Sequence, residues 1–92
     1  MKEQFSGFIN KHMVRRSWNM AELCRRSDLT LPELSRVMSG SRPPSMRIIV
    51  SLAKAFSEAS YRDGEDGLDG FDSWAGRLVR LTAHSKGYKT PQ

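Results

Sequence analysis

This chain of 92 residues has one cysteine, two histidines, four prolines and no long apolar run, and each scarcity removes a class of chemistry. With Cys24 as the sole thiol, neither an intramolecular disulfide nor a cysteine-built metal site is available. His12 and His84 are too few and too scattered to form a ligand set, so no metal is expected. No apolar stretch approaches the roughly 18 residues needed to span a bilayer, and the first residues lack the apolar core of a signal peptide. The expectation is a cytoplasmic protein with no membrane partner. The acidic stretch "YRDGEDGLDGFD" also lacks the spacing D-x-D-x-D-G, followed five residues later by Glu, that a calcium loop requires.

Size sets a further bound. A chain this short sustains one small core, and a cleft that buries a substrate would consume much of it. No nucleophile–base pairing or phosphate loop is present, so neither an enzyme nor a cofactor is expected. Binding is the better default.

What is present is basic charge, unevenly placed. Fifteen Lys and Arg stand against ten Asp and Glu, a net charge of +5. Residues 1–57 carry ten basic and four acidic side chains, residues 58–72 one against six, and residues 73–92 four against none. A basic body joined through an acidic hinge to a basic tail suits a polyanion, because Lys and Arg release counterions from phosphate backbones. A merely well-solvated surface explains the same charge.

Hydrophobic spacing predicts an all-α bundle of four to five helices. Phe5, Phe8, Ile9, His12 and Met13 recur at helical steps over residues 3–16, with Phe5, Ile9 and Met13 inward. Asn19 is a good N-cap for a second helix that ends near Ser27, with Leu23 and Cys24 on its inner face. Thr30 and Glu33 form a T-x-x-E capping box around Pro32, opening a third helix whose stripe is Leu34, Val37 and Met38 and whose stop is Gly40. Pro43 and Pro44 exclude helix before them, and Ile48, Ile49, Leu52, Ala53 and Phe56 make a fourth helix over 45–57, the strut of the core. Residues 58–71 are read as an acidic, Gly-rich linker that does not pack, and residues 84–92 as a basic flexible tail. Between them Phe71, Trp74, Ala75, Leu78 and Leu81 stripe a fifth helix over 72–83, with Asp72 as its N-cap. That stripe lies either on its own domain or on a second copy. Trp18 reads as core in preference to a base-stacking platform.

Helices of about two turns are marginal in water and persist only by packing. The first and fourth helices can clamp the short second and third, leaving the third projecting. A helix of about 10–12 Å diameter fits the major groove of B-DNA.

The order of residues from about Phe5 to Phe56 resembles the Cro/cI-type (XRE-like) helix-turn-helix family of phage and bacterial repressors. The resemblance is carried by Ala21-Glu22-Leu23-Cys24, Leu29-Thr30, Leu34, Val37, Gly40, Arg42, Pro44-Ser45 and Leu52-Ala53-Lys54-Ala55-Phe56. Cys24 stands where the family has alanine and reads as packing, Asp28 stands in place of a turn glycine, and Ser27 takes a normally apolar position. Met13 and Met38 occupy the places of an Arg–Glu pair found in many relatives, so both partners of an ion pair are apolar here.

The resemblance implies a lambda-repressor-like DNA-binding domain over 1–57 and a transcriptional regulator, repressor-like, acting on double-stranded DNA as a homodimer. It implies that Leu31, Pro32, Ser35 and Arg36 face base edges. Arg36 would grip guanine, and the two apolar residues would meet thymine methyls. Asn19, Met20, Ser39, Ser41, Arg42 and Arg47 are the implied phosphate contacts. Phe71, Trp74, Leu78 and Leu81 are candidates for packing or for the dimer interface. The rival reading is a protein-interaction module, an antitoxin or adaptor, that engages a protein partner through its C-terminal helix.

Overall fold

A computed structural model describes residues 4–59 and 67–83, which form an all-α bundle of five helices. In chain order these are α1 (Phe5–Arg16), α2 (Met20–Ser27), α3 (Leu31–Ser39), α4 (Met46–Glu58) and α5 (Phe71–Ala83). Half of the expected linker, residues 60–66, and the whole expected tail fall outside the described residues.

Each helix end has a local cause. Ser17 takes the left-handed conformation (φ 59°) after α1, and its N–H closes the last turn onto Met13 and Val14. Asn19 Oδ1 accepts from the Glu22 amide at 2.8 Å, which satisfies one of the orphan donors of α2. Asp28, also left-handed at φ 59°, ends α2 in the place where glycine would cost less. At α3 the reciprocal box forms as its spacing predicts, with the Thr30 hydroxyl accepting from the Glu33 amide and the Glu33 carboxylate accepting from the Thr30 amide at 3.0 Å. Gly40 (φ 83°) ends α3, and Ser45 caps α4 by accepting from the Ile48 amide.

One core joins all five helices. α4 packs on α5 and α2, while α1 packs on α3 and α5. Leu23, Leu34, Leu52, Phe56 and Leu78 are fully buried along this seam. Burying a side chain of this kind contributes about 1.5–3 kcal/mol, so no single contact holds the fold. Met13 lies in the core and Met38 packs half-buried against that core, so both serve one apolar cluster. Ser27 is buried as well, its hydroxyl donating to the Leu23 carbonyl at 2.6 Å, which settles a polar group where an apolar one was expected.

The largest side chains gather between α1, α4 and α5. Phe56 and Trp74 stack at 4.8 Å between centroids, Trp18 stacks on Phe56 at 5.4 Å, and Phe8 meets Trp74 edge-on at 5.8 Å. Each such pair adds about 0.5–1.5 kcal/mol beyond its area. His12 is fully buried in this cluster, 4.5 Å from Phe8 and 4.8 Å from Trp74. Arg16 covers its edge, with its guanidinium over Trp18, Phe56 and Trp74, Nε donating to the Ala59 carbonyl at 2.7 Å and Nη1 to the His12 carbonyl. One arginine thus ties the end of α4 to the end of α1.

Two expectations need correction here, and one open choice is narrowed. α5 begins at Phe71, which places Asp72 inside the first turn and not at the N-cap; the first helical bond runs from the Trp74 amide to the Gly70 carbonyl. Leu68, in the stretch expected not to pack, is buried against the core just before α5. Its neighbours Gly67 (φ 75°) and Asp69 are exposed, so one apolar residue docks where polar residues surround it in sequence. Of the two surfaces left open for the α5 stripe, its own domain receives it: Trp74, Leu78 and Leu81 are core residues, and Phe71 is exposed.

Candidate nucleic-acid interface

α3 is anchored on one side only. Leu34 and Val37 are buried, Met38 is half-buried, and Leu31, Pro32, Ser35 and Arg36 are all exposed, Leu31 by 53%. The helical period explains the division, because 31 and 35 share one row, 32 and 36 share the next, and 34 and 37 lie opposite. The four residues expected to face bases therefore stand on one outward surface.

The six expected phosphate contacts divide by what already engages them. Asn19 is exposed, and its side-chain oxygen caps α2. Met20 is half-buried against the core. Ser39 and Ser41 bond to each other at 2.9 Å, and the Ser41 and Arg42 amides both donate to the Arg36 carbonyl, at 3.0 and 3.3 Å, which fastens the turn to the end of α3. Arg47 pairs with the Glu33 carboxylate across α3 and α4. Among the described residues no carboxylate pairs with Arg36 or Arg42. Those two carry the positive charge of this surface that is not already spoken for.

The remaining basic cluster is engaged elsewhere. Arg25 and Arg26 both reach the Glu22 carboxylate, at 2.5 and 2.6 Å, and Arg26 also lies over Trp18 at 4.6 Å. The Arg25 hydrogen bond, helped by Arg26, holds the Glu22 carboxyl below the ordinary glutamate range against the opposing effect of desolvation. Glu33 is held low as well, first by the Thr30 amide and then by the Thr30 hydroxyl and Arg47. Burial pushes the half-buried Cys24 thiol up, and the Glu33 charge adds to the rise. Its neighbours are core residues, which agrees with packing as its part.

Two features, one on this surface and one on α5, are not visible as motifs in the sequence. The Glu33–Arg47 pair joins residues fourteen positions apart and exists only once α3 and α4 are side by side. On α5, Val79 is exposed by 41% and Phe71 by 38%, with half-buried Ala75 between them at four-residue steps.

No family model matches this chain, and no curated protein or solved structure matches it. The described residues contain no group of three or more potential metal ligands, and none of their helices is long and apolar enough to cross a membrane.

Proposed function

We propose that this chain is a sequence-selective, double-stranded DNA-binding regulator of Cro/cI-like helix-turn-helix type, acting as a homodimer. The observation that carries this reading is the outward row of Leu31, Pro32, Ser35 and Arg36 on a short helix rooted by Leu34 and Val37. A groove-reading helix needs that combination: rigid anchoring behind, and free hydrogen-bonding and apolar groups in front. Arg36 and Arg42 supply cations that no described carboxylate neutralises, with Arg36 the base reader and Arg42 a phosphate contact.

Dimerisation follows from size, since one small module buries too little surface for operator-level affinity. With Trp74, Leu78 and Leu81 taken into the core, Phe71 and Val79 are the apolar residues that α5 offers a second copy. The same pair favours the second reading, a protein partner bound through α5 in place of DNA.

Selection of bound duplexes from a random pool, followed by a salt series, tests the proposal. Duplex affinity falls steeply as salt rises. Arg36→Ala lowers discrimination at one base position by about 1–3 kcal/mol, whereas Arg42→Ala weakens all duplexes alike and flattens the salt slope by about one. Duplex affinity unchanged in both variants overturns the assignment.

A further inference from the structure

Between α3 and the start of α4 lies a concavity of about 140 Å³, lined in part by Glu33, Arg36, Arg42, Ser45, Arg47 and Ile48. Three guanidinium-bearing residues from three segments line it together with one carboxylate, Glu33, and of the three only Arg47 is paired with that carboxylate. The turn that supplies Arg42 is fixed, because the Arg42 amide donates to the Arg36 carbonyl at 3.3 Å. The floor at Ile48 is buried, and the first turn of α4 holds no acidic residue that would repel an anion. Glu33 occupies one side of the charge cluster, and its carboxylate is the counter-ion of Arg47.

We infer that this concavity is a phosphate site, gripped by Arg42 and Arg47, in which Glu33 is a built-in competitor that holds Arg47 in the anion's absence. A phosphate group fits the chemistry better than a second carboxylate. It carries more charge than the one carboxylate already present, and its oxygens match the planar fork of a guanidinium from more than one side. Arg36 lines the same concavity from α3 and adds its charge to the rim. Binding therefore exchanges an intramolecular ion pair for an intermolecular one, and Glu33 keeps its hydrogen bonds to Thr30 throughout. This deepens the DNA reading, on which it rests for one source of the anion, a duplex backbone beside α3; a free phosphomonoester is the other.

The competitor makes the site testable without losing the fold, because glutamine also serves in a capping box. Inorganic phosphate is titrated into the full chain at constant ionic strength set with chloride, following the arginine Nε–H and the 45–48 amide signals by NMR. Saturable shifts are expected. Arg42→Ala and Arg47→Ala weaken them about tenfold, Glu33→Gln strengthens them about threefold, and Arg80→Ala, on α5, leaves them unchanged. A non-saturating drift common to all four variants overturns the site. A short duplex that displaces the phosphate names the backbone as the source. Phosphate that saturates but yields to uridine monophosphate and not to duplex keeps the site and overturns its link to DNA. Duplex binding indifferent to Arg42→Ala and to added phosphate at fixed ionic strength overturns the site and leaves base reading by α3 standing.

Discussion

The two sides of this molecule are stabilised by different means. Between α1, α4 and α5 the chain stacks its large rings, with Phe8, His12, Phe56 and Trp74 all fully buried. Around α2 and α3 smaller side chains, Leu23, Leu34 and Val37, are buried, and end-capping adds to them: Asn19 at one helix, Thr30 with Glu33 at the next, and left-handed Asp28 and Gly40 to stop them. The aromatic side gains its free energy from area removed from water, which is non-directional and large. The capped side gains less per interaction, but each bond fixes a direction. An element presented to a partner needs direction more than bulk, because a bulky inward face on every side would leave nothing to present.

Breaking the aromatic side gives the largest effect. Trp74→Ala removes the ring that stacks on Phe56 and meets Phe8 and His12, and costs about 3–5 kcal/mol in urea denaturation. Loss of helical signal in a single transition at all probes is expected, because the core is shared; a surviving α2–α3 pair would show that the sides fold separately. On the capped side, Thr30→Ala leaves the Thr30 amide paired with Glu33 but strips the acceptor from the Glu33 amide, at a cost of about 1 kcal/mol. An equal cost for the two substitutions would erase the contrast.

Smaller changes sharpen it. Ser17→Gly and Asp28→Gly relieve left-handed backbone at the ends of α1 and α2, and each raises stability by less than about 1 kcal/mol in the same denaturation. Acidification gives the smallest effect. Glu22 and Glu33 are held below the ordinary glutamate range when folded, so their contribution is complete above that range and is lost as pH falls through the lowered values. Glu33→Gln, whose side chain does not titrate, removes part of this acid dependence, visible as a shallower fall of Tm at low pH.

How much of this could be read in the sequence follows from how local each cause is. The capping box at Thr30, the cap at Asn19 and the stop at Gly40 depend on residues within four positions of one another, and spacing alone announces them. The outward row at Leu31, Pro32, Ser35 and Arg36 was legible too, since burying Leu34 and Val37 determines what lies opposite. Arg16 was not legible: counted among the basic residues, it serves instead to close the end of α4, forty-three positions away. His12 fell at a helical step but gave no sign that it would sit among three rings. Leu68 was hidden by its neighbours, because one leucine among glycines and acids makes no periodic pattern. Asp72 misled for a simpler reason, as helix starts shift by a residue or two when the preceding backbone can supply the first acceptor.

The lone thiol at Cys24 has a practical use. Burial and the Glu33 charge raise its pKa and leave little thiolate on offer at neutral pH, and its half-buried place against the core slows alkylation further. The rate at which a maleimide reacts with the full chain therefore reports how far this thiol is shielded on the helix that braces α3, with no label or substitution needed.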